Sequence, residues 1–415
     1  MKYNHKENLF FYFFIIALFL LNSFQVGPFT IRVYATIIMM VVLAVNYLKN
    51  RNQSLIAPVS RTEVNIYIAF LIVMSICLFL NGEFSEYDFL KKLLAYHLPC
   101  IVVFFAISSI INSYQAIKHT IIVLCAILIF DEIITILQAN GNAAAWGIGI
   151  SLSPLDNISE QADSHEDFRG FSVIPGLFGG VVKNAFYLAS LAPLSLTLLN
   201  KKKSKINLLI VIALQILSLY AIFITQQRAA FYIYALSLLI FMFISAVKTP
   251  VLMIIGIIVG LFASTIIVDY IQTLDLGRLT DSYDTGRNVI YKQAFEFIPE
   301  HFMLGGPASF LKIAGLPAHN LFIDGIISAG IIGLILLVIY TFKTLKKVFL
   351  SIYRYINKKS SVLTVALSLA LLSSTLYGFT HNTSILTGEP VLFILWALLL
   401  KSLSIDENGE AYDTI

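Results

Sequence analysis

Runs of about 20 apolar residues recur along this chain, near positions 9–25, 30–48, 64–81, 91–111, 119–139, 184–200, 206–226, 229–247, 251–268, 320–342, 361–380 and 388–403. Each is long enough to cross the hydrocarbon core of a bilayer as a helix. Lipid offers no partner for backbone N–H and C=O groups, so a run of this kind must satisfy its own. Composition agrees, with 58% of residues hydrophobic and only 13% charged, against about 25% charged in a soluble domain. The sequence therefore predicts an all-α integral membrane protein of about twelve transmembrane helices. Positions 1–415 form one polytopic bundle rather than two or three soluble domains.

The charges between the runs orient them. Taking the N-terminus as cytoplasmic, the inner segments hold Lys2, Lys6, Lys49, Arg51, Arg61, Lys118, the Lys201–Lys205 cluster, Lys248, the 343–359 group and Lys401. These are 18 of the 28 lysines and arginines, as the bias of cytoplasmic loops toward Lys and Arg requires. The outer segments carry acids instead, namely Glu83, Glu86 and Asp88, then Asp156, Glu160, Asp163, Glu166 and Asp167. Both termini are expected in the cytoplasm. The first run follows two lysines but precedes no Ala-x-Ala cleavage signal, so it reads as a retained span rather than a leader. Cys77, Cys100 and Cys125 lie inside apolar runs without CxxC spacing and read as small buried hydrophobes. A net charge of +4 without a basic patch gives no footprint for nucleic acid.

Two outer segments exceed turn length, 140–183 and 269–319, and both fall on the non-cytoplasmic side. Loops of that size are usually functional or disordered, and the apolar content of the second argues for function. Within it, residues 288–298 place Val289, Ile290, Ala294, Phe295 and Ile298 near one helical face, with Asp284 or Thr285 as a cap and Pro299 after the end. That predicts a short amphipathic helix along the membrane interface, with Arg287 at its anion-attracting N-terminus.

The chemistry-bearing residues form a constellation: Gln227-Arg228-Ala229 at a membrane boundary, Thr285-Gly286-Arg287-Asn288, the turn Leu304-Gly305-Gly306-Pro307, and Pro317-Ala318-His319-Asn320. A helix punctuated by Gly325, Gly330 and Gly333 follows. Earlier, Arg169-Gly170 precedes Gly176-Leu177-Phe178-Gly179 and Asn184. This arrangement resembles the O-antigen ligase/polymerase family of bacterial membrane glycosyltransferases over roughly 165–345, most sharply between Gly286 and Gly333. It departs from the family at Gly305-Gly306-Pro307, where members more often carry Gly-x-Gly.

The resemblance implies a GT-C-like bundle in the bacterial inner membrane with its site on the periplasmic face. It implies a glycan donor linked to undecaprenyl pyrophosphate, no metal and no cofactor. By the same resemblance, Arg228 and Arg287 engage the donor pyrophosphate, Arg169 helps seat it, and His319 activates the acceptor hydroxyl. Residue chemistry agrees independently. Arginine is a permanent, forked donor suited to phosphate, and histidine is the usual base for a sugar hydroxyl near neutral pH. The outer loops contain no Asp-x-Asp pair, which disfavours a metal-dependent nucleotide-sugar enzyme.

Asp131 and Glu132 stand inside an apolar run, where acids are costly and default to a functional reading. They read either as counter-ions orienting Arg228 or Arg287, as residues of a water-filled cleft, or as a packing salt bridge. Asp324, one turn after His319, is expected to hold that histidine's tautomer. Arg32 reads as snorkelling to lipid phosphate, and His301 and His381 as ordinary interfacial histidines. The glycines at 325, 330 and 333 read as close-packing positions.

Within the family, a polymerase joins lipid-linked repeat units, working beside a flippase and a chain-length regulator, whereas a ligase transfers the glycan to lipid A core. The Arg-Gly and Gly-Leu-Phe-Gly pattern favours the polymerase. A flippase or other transporter is the remaining alternative. It would spread charge along a central cavity and repeat its halves, neither of which the sequence shows.

Overall fold

A computed structural model describes residues 5–20, 24–26, 29–49, 62–152, 174–178, 180–200, 205–248, 287–381 and 385–407. Helix α1 (His5–Leu20) leads through a two-residue antiparallel pair, β1 (Gln25–Val26) and β2 (Phe29–Thr30), into α2 (Ile31–Lys49). Then come α3 (Thr62–Leu80), α4 (Phe89–Ile110, with a π-helical turn at Leu93–His97), α5 (Tyr114–Ala139) and α6 (Ala143–Leu152). Helix α7 (Val181–Leu191) continues as a 3₁₀ helix through Ala192–Asn200, followed by α8 (Lys205–Ile224) and α9 (Arg228–Lys248). The last elements are α10 (Arg287–Phe297), α11 (Pro307–Ala314), α12 (Leu321–Ile356), α13 (Val362–Gly378) and α14 (Pro390–Glu407).

Eight helices among the described residues are long and apolar enough to cross a membrane: α2, α3, α4, α5, α7 with its extension, α8, α9 and α12. Three further expected spans appear as α1, α13 and α14. The first two are shorter than a full crossing, and the last ends in Lys401, Asp406 and Glu407. The expected span at 251–268 lies outside the described residues, as do Arg169 and Asp284.

Helices α13 and α14 are buried on nearly every side, the pattern of elements at the centre of a bundle. Helices α2, α8 and α9 form part of its rim and leave Val41, Leu209, Ile216, Leu239 and Phe243 exposed. In water such a belt would drive association; in a bilayer it faces lipid chains.

The expected continuous span at 320–342 is broken. Over its 36 residues an unbroken α12 would be about 54 Å long, well beyond the roughly 30 Å of a hydrocarbon core. Ala329 (φ −147°, ψ 23°) and Gly330 (φ 61°, ψ −162°) leave helical geometry. A Cβ on Gly333 would stand 3.0 Å from the carbonyl oxygen of Gly325, and one on Gly325 would run into Leu337. Eight residues of straight helix would separate the first pair by about 12 Å, so Leu321–Ser328 folds sharply back on the long segment. The loop before α11 enters the break. Gly306 N–H donates to Ile327 O (2.7 Å), and Ile331 N–H donates to Phe302 O (2.9 Å). Backbone groups freed by the break are thereby satisfied inside protein, the condition for irregular chain at membrane depth. Gly330 is thus a backbone requirement and not only a packing position.

Helices α10 and α11 cap this end of the bundle. A helix stands at the predicted position as α10, but its buried face is Ile290, Ala294 and Phe297, packed on Phe310, Ala318 and Ile327. Val289 and Phe295, expected on that face, are exposed, because the buried side follows i, i+4, i+7 from Ile290.

Candidate active site

Asn320 starts α12 as its N-cap, its Oδ1 accepting from the N–H groups of Phe322 (3.0 Å) and Ile323 (3.2 Å). The preceding residue, His319, takes a left-handed backbone at φ 57°, which costs a non-glycine residue about 1–2 kcal/mol. Asp324 holds the turn in that shape. Its Oδ1 accepts from Ala318 N–H (2.7 Å) and its Oδ2 from Asn320 N–H (3.1 Å), and His319 N–H also bonds it. These are charge-assisted bonds, roughly twice the strength of neutral ones. These bonds of Asp324 run to the backbone around His319, whereas the sequence suggests that it holds the imidazole tautomer.

A second histidine meets the first. Asn320 Nδ2 donates to Phe379 O at 2.9 Å, tying the turn to the C-terminal end of α13. There His381 lies edge-on to His319, ring centroids 6.0 Å apart. His381 is buried and stacks on Tyr377 at 4.9 Å, whose hydroxyl donates to Val182 O (2.9 Å) at the start of α7. Sequence reasoning set His381 aside; its position just past a span end was the only signal that could have found it.

Beneath the turn lies a small cavity of ≈ 70 Å³, lined in part by Tyr87, Pro317, Asp324, Ser328 and Thr387. Tyr87 belongs to the loop between α3 and α4. Burial, with the Asp324 carboxylate adding to it, pushes its phenol up to about 12, so it remains a proton donor at neutral pH. The same loop clamps α11. Glu83 accepts from the N–H groups of Ala308 (2.9 Å) and Ser309 (3.0 Å) and from the Ser309 hydroxyl, while Asn81 Nδ2 donates to Gly305 O at 3.0 Å.

Arg228 opens α9 after a tight turn in which Gln226 has φ 54°. Gln215 on α8 donates to Ala192 O on the α7 extension and accepts from Tyr234 OH on α9. Tyr234 is six residues past Arg228, about 9 Å of helix rise. That puts Arg228 at the end of the bundle that carries Val182, His381 and His319. Arg287 is the first residue of α10, which packs at this same end. Arg169 lies outside the described residues.

The two intramembrane acids make contacts within the scaffold. Asp131 accepts from Leu177 N–H at 2.8 Å. With its amide turned so that nitrogen faces the carboxylate, Asn184 donates to Asp131 Oδ2 at 2.8 Å and accepts from Thr135 Oγ1 at 3.1 Å. Gln138 grips both backbone groups of Gly176, accepting from its N–H (2.9 Å) and donating to its C=O (3.2 Å). Together they fix the end of the 140–183 segment against α5. Glu132 accepts from the Ser218 hydroxyl on α8.

Arg32 does not snorkel. It is 1% exposed, and its Nη2 donates to Gly388 O (3.2 Å) and to Tyr96 O (3.4 Å) in the π-helical turn of α4. Next to Gly388, the buried Glu389 accepts from Tyr187 OH (2.7 Å) and pairs with Lys183 Nζ at 3.5 Å. His97 Nδ1 and Tyr67 OH share a hydrogen bond of 2.7 Å nearby on α4 and α3. Sequence reading missed this group because each member looked like a single polar residue at a membrane boundary.

No protein-family model and no curated protein matches this chain. What the arrangement offers chemically is two imidazoles in ring contact and a rigid turn held by a carboxylate. Cationic residues begin the neighbouring helices.

Proposed function

We propose that this chain is an O-antigen polymerase, a membrane glycosyltransferase that joins undecaprenyl-pyrophosphate-linked oligosaccharide repeat units on the periplasmic face of the bacterial inner membrane. The reading includes about twelve spans with both termini cytoplasmic. The observation that carries it is the left-handed His319 turn, clamped by Asp324 and touching His381, at the bundle end where α9 begins with Arg228. A base held this firmly beside cationic helix starts suits transfer from an anionic leaving group.

In the proposed step His319 takes the proton of the acceptor hydroxyl while that oxygen attacks the anomeric carbon of the donor. The bond from that carbon to the pyrophosphate oxygen breaks, and the lipid pyrophosphate leaves with the electron pair and its negative charge. Attack opposite the leaving group inverts the anomeric centre. Arg228, Arg287 and Arg169 are assigned to the departing pyrophosphate, for which guanidinium forks supply charge and paired donors. A positioned base contributes typically 10²–10⁴-fold.

A deletion strain tests the assignment through its surface glycan. Core carrying a single repeat unit is the expected result. Core carrying none would make the chain a ligase acting on lipid A core, and unchanged chain length would reject both.

A further inference from the structure

Phe302, Met303 and Leu304, in the loop between α10 and α11, are consecutive apolar residues, and all of them are exposed, Met303 over 63% of its surface. In water such a run is a defect unless something covers it. The backbone beneath these side chains is nevertheless paired inside the protein. Phe302 O accepts from Ile331 N–H (2.9 Å), Gly305 N–H donates to His301 O (2.7 Å), and Asn81 Nδ2 donates to Gly305 O (3.0 Å). Apolar side chains outward and backbone bonds inward are what hydrocarbon demands of a non-helical segment.

The same bonds set the loop against two lipid-facing helices. Ile331 begins the long segment of α12, whose Ile332, Ile335, Ile339 and Phe342 form one exposed stripe at helical spacing. Asn81 follows α3, where Ile72, Ile76 and Phe79 form another, and Leu80 at its end is exposed as well. These two helices pack together, and both are long and apolar enough to cross a membrane. None of the named residues on this surface is charged. Charge returns at Glu300 and in the cap helices, as the exposed pairs Lys292–Glu296 on α10 and Lys312–Glu86 on α11.

We propose that residues 302–304 are seated in the bilayer, their side chains covered by the acyl chains of the leaflet at this end of the bundle, just inside the headgroups. Continuity identifies the occupant, because the loop extends two stripes that lipid already covers. The assignment goes beyond the glycosyl-transfer reading and does not rest on it. It also gives the membrane a hold on the candidate site. Gly306, two residues past Leu304, donates to Ile327 O in the arm of α12 that follows the His319 turn.

The test uses the full-length, unsubstituted protein in phosphatidylcholine nanodiscs doped with a lipid that carries a diazirine in its acyl chain. After illumination, peptide mass spectrometry maps where the carbene has inserted. Residues 302–304 should be labelled about as strongly as the Ile332–Phe342 stripe, and roughly tenfold more than Lys292–Glu296. Labelling no stronger than at Lys292–Glu296 would place the loop in water and overturn the proposal. Spin labels at Phe302→Cys and at Met303→Cys give a second measurement, in a Cys125→Ala background because Cys77 and Cys100 are buried. Both labels should collide more often with dissolved oxygen than with a water-soluble nickel chelate, and a label at Lys292→Cys should show the reverse. Preference for the nickel chelate at 302 and 303 would again mean water. Shielding from both reagents would mean that a second copy of the chain covers this face, and would overturn the lipid assignment equally.

Discussion

The Glu83 carboxylate accepts a hydrogen bond from the backbone N–H of Ala308, 225 residues further along the chain, at 2.9 Å. With Ser309 N–H at 3.0 Å, it serves as the N-cap that α11 lacks in its own sequence, where Gly306 and Pro307 offer no acceptor side chain. Glu86, three residues on, also reaches α11, but through an exposed pair with Lys312. The two acids should therefore differ. Glu83→Ala is expected to cost about 2 kcal/mol, at the upper end for a lost cap. Glu86→Ala should cost under about 1 kcal/mol, as for surface ion pairs. Thermal unfolding in detergent compares them, and equal shifts would refute the cap.

Gly330→Ala should damage the protein more than Gly325→Ala. At Gly330 a Cβ would run into the Met303 backbone, and the residue already has φ 61°. The left-handed penalty of roughly 1–2 kcal/mol then adds to a clash that only backbone movement relieves. At Gly325 the obstacle is the far end of the Leu337 side chain, which can turn away. Folded yield by size exclusion and loss of transfer activity should rank the two variants in that order.

His319→Ala should lower the transfer rate by about 10²–10⁴-fold while leaving donor binding intact. Asp324→Asn should lower it by about 10-fold, since one anionic acceptor at 2.7 Å from Ala318 N–H is replaced by a neutral amide with only one acceptor atom. Steady-state kinetics with a synthetic lipid-linked donor read both. Full activity in His319→Ala would remove it from the role of base.

His381→Phe keeps an aromatic ring against His319 and Tyr377 but removes both ring nitrogens, whereas His381→Ala also removes the 4.9 Å stack. If His381 positions His319 through ring packing, the Phe variant should retain most activity and the Ala variant should lose about 10-fold. The acid limb of the pH–rate profile should stay in place in the Phe variant. Its displacement there would assign His381 an electrostatic role instead.

Tyr87 gives a pH prediction. Its phenol is raised from 10.0 to about 12 in the folded protein, so its contribution to stability is present below pH 10 and is lost as pH rises through 12. Wild type should lose stability over that alkaline window to a greater extent than Tyr87→Phe. Parallel denaturation curves for the two would sink the idea.

The helices themselves were legible because hydropathy is a sum over neighbours in sequence. Nearly all expected spans within the described residues have a helix at their positions, and α10 begins one residue before its predicted start. The same local reasoning missed the α12 break, because Gly325, Gly330 and Gly333 look alike along the chain. Only Gly330 faces the Met303 backbone that forces its conformation.

For the site, sequence alone singled out His319, Arg228 and Arg287 as residue types suited to an anionic donor and a hydroxyl acceptor. Tertiary structure decided what surrounds them. Asp324 grips a backbone turn, Asp131 holds Leu177, and His381 packs edge-on against His319. Arg32 shows why. An arginine at a helix start can reach water or be sealed inside, and the choice depends on what packs over it. Here that is Gly388, 356 residues away, a contact that local pattern cannot encode.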